Sequence, residues 1–210
     1  MAEQNNIEII NGKCLPLIDD FNTIQGEGYY TGKPAYFIRL GGCDSACSWC
    51  DTKVLWDPDI HDLVSIDEIL KRAIDYKAQN LVVTGGEPSK YNLQPLCELF
   101  KSYNINTFVE TAGTHNLTGE WKWICLSPKK HAPPVEDIYK MAHELKVVVF
   151  NEEDFLWAEE TAEKVNKNCK LFLQPEWSRH KKMIALIVDY VKNNPKWRIS
   201  IQAHKFMGIP

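Results

Sequence analysis

The stretch Leu-Val-Val-Thr-Gly-Gly-Glu-Pro at residues 81–88 decides the predicted fold. Its first four residues are a short apolar run, which is typical of a parallel strand that is buried on both faces. A helix is predicted before it, because Ser65 and Glu68 form a capping box at the start of a 3.6-residue apolar period. A second helix is predicted at residues 93–103. Helix, strand and helix in this order indicate a βα unit of a parallel sheet.

The same alternation of strands and helices continues along the chain. Strands are predicted at residues 35–40, 81–84, 106–110, 122–126, 145–150, 170–174 and 198–203. Further helices are predicted at residues 135–142, 152–165 and 179–191. This alternation implies right-handed crossovers, and about six to seven strands suit an incomplete, open parallel (β/α) barrel better than a closed barrel of eight. We therefore expect an α/β fold in which residues 1–210 form a single domain.

The composition is that of a soluble globular enzyme, with 44% apolar and 25% charged residues. The net charge is −4, so the chain lacks the overall basic charge that is typical of nucleic-acid-binding proteins. Local basic clusters at residues 129–131 and 179–182 are interpreted as solvated faces. The sequence shows no membrane-spanning run and no amino-terminal signal pattern, so we expect a cytoplasmic protein that binds neither nucleic acid nor membrane.

Polar and glycine-rich segments follow the predicted strands. They are residues 84–88, 110–114, 127–129, 174–176 and 202–204, together with the cysteine-rich loop after strand 35–40. In a parallel α/β fold the carboxyl ends of the strands lie at one edge of the sheet, where active sites are found. We therefore expect these segments to form one site.

Three of the seven cysteines, Cys43, Cys47 and Cys50, fall within eight residues with the spacing C-x3-C-x2-C. The other four are scattered singly, and an odd total excludes complete disulfide pairing. A structural zinc site needs four ligands, and no second cysteine pair or paired histidine accompanies these three. An iron–sulfur cluster with three thiolate ligands would leave one iron open to a small ligand, as catalysis requires. The spacing therefore favours a cluster over zinc without excluding zinc.

The cysteine spacing, with Trp49 directly before the last cysteine, resembles the signature of the radical S-adenosylmethionine (SAM) superfamily. The resemblance implies a [4Fe–4S] cluster held by Cys43, Cys47 and Cys50, with SAM bound to the open iron. One electron into the cluster then cleaves SAM and releases a 5′-deoxyadenosyl radical that abstracts hydrogen from the substrate.

Gly85, Gly86 and Glu87 follow a predicted buried strand and resemble the second motif of the same superfamily. By resemblance, the two glycines let the backbone approach the methionine amine of SAM, and Glu87 helps to hold the loop. Both motifs together imply that the open barrel is of the radical SAM type.

Further segments resemble one family, the 7-carboxy-7-deazaguanine synthases of queuosine and deazapurine biosynthesis. The matching segments are residues 21–28, 39, 50–52, 127–129, 174–175 and 204–210. This family converts 6-carboxy-5,6,7,8-tetrahydropterin to 7-carboxy-7-deazaguanine with loss of ammonia, and it uses SAM catalytically together with Mg2+. The resemblance implies the same carbon–nitrogen lyase activity for this chain.

The family resemblance also assigns residues to the substrate. They are Ile24, Gln25, Gly26, Glu27, Arg39, Thr84, His204 and Pro210 at the chain end. Gln25 and Glu27 can recognise the donors and acceptors of a pterin, and the Arg39 guanidinium offers a fork of donors to a carboxylate. On the residues alone, an ordinary ion pair is nearly as good an explanation for Arg39 as binding of a substrate carboxylate. A solitary histidine such as His204 more often has a structural role.

A second set of residues is assigned to SAM by the same resemblance. They are Trp49, Cys50, Asp51, Gly85, Gly86, Glu87, Gly113, Ser127, Pro128, Lys129 and Gln174. Thr52 follows the last cluster cysteine, and its hydroxyl is the implied protein ligand of Mg2+. A helix N-cap is the alternative role for Thr52.

Two other functions remain open from the sequence. A glycyl-radical enzyme activase would share the cluster motif but would have to admit a protein loop. A binding module stabilised by zinc or by an iron–sulfur cluster would have a closed metal site and would not cleave SAM. For the synthase, the resemblance implies a homodimer and an electron donor such as flavodoxin or ferredoxin.

Overall fold

The computed structural model describes residues 7–50 and 53–210 of the chain. The strands in this part of the chain are β1 Cys14–Ile24, β2 Pro34–Leu40, β3 Asp62–Ser65, β4 Asn80–Gly85, β5 Asn106–Thr111, β6 Trp123–Leu126, β7 Glu144–Val149, β8 Lys170–Pro175 and β9 Trp197–Ile199. They form one sheet in the order β3-β1-β2-β4-β5-β6-β7-β8-β9, which does not close on itself.

A helix follows each of the strands β3, β4, β6, β7, β8 and β9. In that order they are α1 Ile66–Asp75, α2 Gln94–Ser102, α3 Glu136–Met141, α4 Glu153–Ala162, α5 His180–Asn193 and α6 Ala203–Met207. Helix α1 begins where the sequence predicts, because the Ser65 hydroxyl accepts a hydrogen bond from the Glu68 backbone N–H at 3.2 Å. The Glu68 carboxylate binds the Arg72 guanidinium at 3.0 Å instead of reaching back to the Ser65 backbone N–H. Of the predicted capping box, the hydrogen bond to the serine hydroxyl is therefore the part that forms.

The predicted strands correspond to β2 and β4–β9. They form the parallel part of the sheet, which runs from the edge strand β9 to β2. This confirms the open parallel (β/α) barrel. The last strand is shorter than predicted and ends at Ile199. Beyond it the chain turns away from the sheet, where the Ala203 backbone N–H donates to the Gly26 carbonyl at 2.9 Å and α6 begins.

Strands β1 and β3 are not predicted by the sequence patterns. Pro16 and the polar residues Asp19, Asp20 and Asn22 interrupt apolar alternation in β1. The strand conformation of β1 depends on its antiparallel pairing with β2 on one side and β3 on the other. Such long-range pairing is a tertiary property that local propensity does not report.

The two faces of the sheet carry different side chains, because successive residues of a strand point in opposite directions. The outward residues of β7 are fully buried in the hydrophobic core: Leu145, Val147 and Val149. The inward residues of β7 line cavities: Glu144, Lys146 and Val148. Each buried aliphatic side chain on the outer face stabilises the fold by about 1.5–3 kcal/mol. The inner face, called the lumen below, is left free for polar groups.

None of the described helices combines the length and the apolar character that crossing a bilayer would require.

Candidate active site

A cavity of about 480 Å³ lies at the carboxyl ends of the parallel strands. Many residues that the sequence assigns to cluster, SAM or substrate line it: Glu27, Cys43, Cys47, Trp49, Cys50, Thr84, Gly85, Gly86, Glu87, Ser127, Lys129 and Gln174. These residues at the strand ends therefore line one cavity, and their binding roles stay predictions.

The cysteine loop follows β2 and is held by backbone hydrogen bonds. The Cys43 N–H donates to the Trp56 carbonyl at 3.3 Å, and the Cys50 N–H donates to the Cys47 carbonyl at 3.0 Å. Burial raises the pKa of the Cys47 thiol, while the nearby charge of Lys129 acts in the opposite direction. A positive group beside a buried thiol favours the thiolate form, which is the form that binds metals.

Aromatic side chains pack around this loop. Trp49 stacks against Phe150 at 6.2 Å between ring centroids and meets the His131 ring edge-on at 5.7 Å. Arg179 in turn lies 4.0 Å from the centroid of the Phe150 ring. Parts of both basic clusters therefore pack around the cysteine loop, as His131 and Arg179 do.

The three cysteines of the motif, Cys43, Cys47 and Cys50, all border the main cavity. Among the described residues, no group of three His, Cys, Asp or Glu side chains is arranged to hold a single metal ion. A [4Fe–4S] cluster takes thiolate ligands, and three of them leave one iron open. These three side chains could hold such a cluster at the cavity.

The Gly-Gly-Glu loop after β4 packs directly against the chain leading into the cysteine loop. Gly85 has φ +109°, and a Cβ on it would lie 2.3 Å from the Leu40 backbone nitrogen. A Cβ on Gly86 would lie 2.4 Å from the Gly42 carbonyl oxygen. The Glu87 N–H donates to that same carbonyl at 2.9 Å. Glycine is thus required at both positions for the two motifs to lie in contact.

Glu87 joins the loop after β4 to the loop after β5. Its side chain is buried and accepts hydrogen bonds from the Ser89 N–H at 2.9 Å, the Ala112 N–H at 2.7 Å and the Thr111 hydroxyl. A carboxylate with three such donors fixes the relative position of both loops. This agrees with the expectation that Glu87 holds the loop.

A buried ion-pair network lies deeper in the lumen. Lys146, on β7, is 4% exposed and binds both the Glu27 carboxylate and the Glu110 carboxylate, the latter at 3.0 Å. Gln202 donates to Glu27 at 3.0 Å, and Gln25 donates to Glu110 at 2.9 Å. The network therefore connects the segment after β1 with β5, β7 and the chain end.

The network determines the charges of its members. Burial alone would raise the pKa of Glu27, but the Lys146 charge and hydrogen bonds from Lys146 and Gln202 outweigh it and hold the pKa at about 2. Burial opposes the charge of Lys146, but the Glu110 and Glu27 carboxylates outweigh it and raise the pKa of Lys146 well above its usual value. Glu27 and Lys146 are therefore both ionised at neutral pH.

The end of β1 and the last residues of the chain meet beside this network. The His204 side chain packs against Gly26, since a Cβ on Gly26 would lie 2.2 Å from the His204 Nδ1. The Thr23 hydroxyl donates to the backbone oxygen of Pro210 at 3.3 Å. The segments 24–27 and 204–210, which the sequence assigns to the substrate, are thus brought together, although Ile24, Gly26, His204 and Pro210 do not line the main cavity.

Arg39 forms the ion pair that the sequence left open as an alternative. Its guanidinium donates two hydrogen bonds to Asp19, one of them at 2.6 Å from Nε, and lies 5.3 Å from the Phe21 ring centroid. It lies on the lumen side of β2, in alternation with the outward Ile38 and Leu40. Binding of a substrate carboxylate by Arg39 stays a prediction, and it would require the guanidinium to be shared with Asp19.

The remaining predicted SAM residues have different positions. Gly113 has φ +75° and packs under α3, where a Cβ would lie 2.9 Å from an Ile138 methyl. Pro128 is buried and does not line the main cavity, whereas Lys129 does and donates to the Ser127 carbonyl at 2.6 Å. Asp51 and Thr52 lie outside the described residues.

Sequence reasoning did not assign roles to Glu110, Lys146 or Gln202. The signal for Lys146 is present in the sequence, since a lysine inside the apolar strand Glu-Leu-Lys-Val-Val-Val must either be paired or face a site. Its two partners come from residues 36 and 119 positions away. Local patterns therefore could not identify them.

The lumen continues beyond the network toward the amino ends of the strands. A second cavity of about 200 Å³ lies there, and Gln25, Glu27 and Glu110 border it from above. Its side walls include the rings of Tyr30, Phe108 and Trp123.

Comparison with known proteins agrees with this geometry. The 4Fe-4S single cluster domain family matches residues 24–150. The chain is 50% identical over 210 residues to the 7-carboxy-7-deazaguanine synthase of Flavobacterium psychrophilum, covering 100% of both chains. It is 42% identical over 194 residues to the 7-carboxy-7-deazaguanine synthase of a Synechocystis species, covering 92% of this chain and 93% of the relative.

A solved structure shows the same fold. The crystal structure of QueE from Escherichia coli matches with a TM-score of 0.84 at 29% sequence identity, covering 95% of this chain and 98% of that chain. The cluster motif and the Gly-Gly-Glu loop are thus accompanied by sequence similarity to named synthases over the whole chain and by the same fold in a solved structure. On these grounds the chain belongs to the 7-carboxy-7-deazaguanine synthase family.

Proposed function

We propose that this protein is a radical SAM lyase that converts 6-carboxy-5,6,7,8-tetrahydropterin to 7-carboxy-7-deazaguanine with loss of ammonia, in queuosine and deazapurine biosynthesis. The observation that carries the proposal is the single cavity in which three thiols, the Gly-Gly-Glu loop and the Lys146 network meet. The full-length relatives that carry the synthase name support it over a glycyl-radical activase.

The thiolates of Cys43, Cys47 and Cys50 would hold a [4Fe–4S] cluster, leaving one iron open to SAM. When bound there, the cluster and SAM would supply the radical chemistry, the abstraction of hydrogen from the substrate by a 5′-deoxyadenosyl radical. The surrounding loop would hold the thiols at the cavity, where Trp49 lines the wall and stacks against Phe150.

SAM would lie along the loops that follow β4, β5, β6 and β8. Gly85 and Gly86 let the backbone approach the ligand, and Glu87 keeps the loops after β4 and β5 in register. Burial lowers the pKa of Lys129, which lies beside the Ser127 oxygens in this cavity. Proposed contacts of the adenosine and ribose are Gly113, Ser127, Pro128, Lys129 and Gln174. Trp49, Cys50 and Asp51 are proposed as further SAM contacts.

The pterin would bind in the lumen between the Gly-Gly-Glu loop and the buried network. The ionised Glu27 carboxylate can accept N–H groups of the pterin in addition to those of Lys146 and Gln202, because each carboxylate oxygen has two acceptor positions. Thr84 borders the main cavity and Gln25 borders the second cavity on the other side of the network, and both offer further donors and acceptors. Arg39, His204 and the terminal carboxylate of Pro210 are proposed to complete recognition of the carboxypterin.

A magnesium ion is proposed to assist the reaction, with the hydroxyl of Thr52 as its protein ligand and substrate oxygens and waters as its other ligands. The replacement Thr52→Ala should abolish the stimulation of turnover by Mg2+. An undiminished response to Mg2+ in this variant would remove Thr52 from the site.

The same function also suggests an oligomeric state, a location and an electron donor for the enzyme. We propose a homodimer in the cytoplasm that receives single electrons from a flavodoxin or a ferredoxin. Light scattering after size exclusion tests the oligomeric state. Turnover with reduced flavodoxin or ferredoxin in place of dithionite tests the donor.

The decisive experiment is anaerobic incubation of the reconstituted protein with dithionite, SAM, Mg2+ and the carboxypterin, with no other protein present. The expected product is 7-carboxy-7-deazaguanine, identified by mass, and its absence despite SAM cleavage would refute the substrate assignment. Replacement of any one of Cys43, Cys47 or Cys50 by Ala should abolish 5′-deoxyadenosine formation. The matched control is Cys169→Ala, because Cys169 lies before β8 and does not line the cavity.

A further inference from the structure

Ser45 lies in the middle of the cysteine loop, two residues from Cys43 and two from Cys47. Its side chain is 4% exposed, and its hydroxyl has no hydrogen-bond partner among the described residues. A buried hydroxyl without a partner costs about 1–3 kcal/mol. Ser45 also lines the cavity that the three thiols border. Its hydroxyl oxygen is itself buried, so a rotation of the side chain about χ1 would bring it to an acceptor placed in that cavity.

Two features describe the backbone around Ser45: a hydrogen bond of its carbonyl and an uncommon torsion angle at the next residue. The Ser45 carbonyl binds a ring nitrogen of His131 at 2.6 Å, which ties the loop to the segment after β6. The next residue, Ala46, has φ +45°, in the left-handed region that non-glycine residues seldom adopt. Uncommon backbone conformations of this kind persist where the surroundings enforce them, and they cluster at functional sites. The loop conformation therefore keeps the Ser45 side chain buried at the cavity.

The chemistry of the cavity identifies the acceptor. A cluster bound to Cys43, Cys47 and Cys50 would bring sulfide and thiolate sulfur atoms into the space that these residues border together with Ser45. We propose that the Ser45 hydroxyl donates a hydrogen bond to a sulfur atom of the [4Fe–4S] cluster and raises its reduction potential. This inference rests on the proposed ligation of the cluster by the three cysteines.

The direction of the effect follows from charge. One-electron reduction adds a negative charge to the cluster and its sulfur atoms, so a hydrogen-bond donor stabilises the reduced cluster more than the oxidised one. Loss of the donor should lower the ratio of reduced to oxidised cluster by about fivefold at a fixed potential, the size expected for one ordinary hydrogen bond. At 59 mV per tenfold change for a one-electron couple, this corresponds to a midpoint about 40 mV more negative.

The test is a reductive titration of the reconstituted protein without SAM, followed by electron paramagnetic resonance of the reduced cluster. It compares the native chain with Ser45→Ala and with Ser48→Ala. Ser48 is a matched control, because it is a serine of the same loop whose side chain is exposed. We expect the midpoint of Ser45→Ala to be more negative and that of Ser48→Ala to equal the native value.

The outcomes separate this inference from the proposed function. A native midpoint in Ser45→Ala with full cluster content would overturn the inference and leave the cluster assignment intact. A shift that appears only when SAM is added would also overturn it, because the hydroxyl would then act on SAM. Failure of the native chain to bind a cluster would refute the proposed function itself.

A second pair of variants covers the case in which Ser45→Ala does not retain a cluster. Ser45→Thr keeps a hydroxyl, whereas Ser45→Val has a similar shape without one. We expect the threonine variant to titrate near the native midpoint and the valine variant at a more negative potential. Equal midpoints in the two variants would overturn the inference.

Discussion

Replacing Lys146 with methionine should destabilise the protein strongly at neutral pH. The side chains of Lys146, Glu27 and Glu110 are 4%, 14% and 21% exposed, so the network is shielded from solvent. Removing one partner of a buried ion pair costs roughly 3–5 kcal/mol, because the opposite charge stays buried and unpaired. In a chain of this size 1 kcal/mol shifts Tm by about 2–4 °C, so we expect Tm at pH 7 to fall by about 10 °C.

The pH dependence of this effect has a defined sign. The pKa of Glu27 is lowered from 4.5 to about 2, so its ionised form stabilises the native fold above pH 4.5, and this stabilisation is lost as the pH falls toward 2. Without Lys146 the main cause of the lowering is gone, and burial raises the pKa of Glu27 instead. The variant is then most penalised at neutral pH and relieved as the carboxyl takes up a proton. The difference in Tm between the native chain and Lys146→Met should shrink from pH 8 to pH 5.

The assay is anaerobic thermal unfolding at four pH values between 5 and 8, at one scan rate. The matched control is Lys101→Met, because Lys101 pairs with Glu120 at 2.8 Å where both side chains are largely exposed. Solvent screens an exposed pair, so it contributes little to stability and Tm of the control should stay near the native value. Equal losses in the two variants, or a loss in Lys146→Met that does not vary with pH, would refute the reasoning.

Three further changes test other parts of the site. Gly86→Ala would place a Cβ 2.4 Å from the Gly42 carbonyl oxygen. We expect SAM affinity to fall by about tenfold and the iron content per chain to fall as well. Native values of both would show that the loop can move. Glu87→Gln removes the carboxylate oxygen that accepts from the Ala112 N–H at 2.7 Å and should weaken SAM binding roughly tenfold, as measured by titration, while iron content stays near native. A short Gly-Ser extension after Pro210 should raise KM for the carboxypterin and leave uncoupled SAM cleavage largely intact, and an unchanged KM would exclude the chain end from the substrate site.

The sequence by itself determined the βα order and the two cofactor motifs. Each parallel strand has a local signal, since an apolar run such as residues 81–84 is bounded by a capped helix before it and a Gly-Gly turn after it. The carboxyl ends of parallel strands share one edge, so the motifs that follow them had to come together. Both inferences depend on short-range patterns and on a general rule of topology.

Only the tertiary structure decided which strands flank the barrel and which charges meet inside it. Strand β1 contains Pro16 and several polar residues, and its conformation is fixed by pairing with β2 and β3. The pairing of Lys146 with Glu27 joins residues 119 positions apart in a buried lumen. Its strength comes from the exclusion of water, which no local pattern can report. The sequence thus predicted where the site lies, and the packing of distant segments decided which side chains are charged within it.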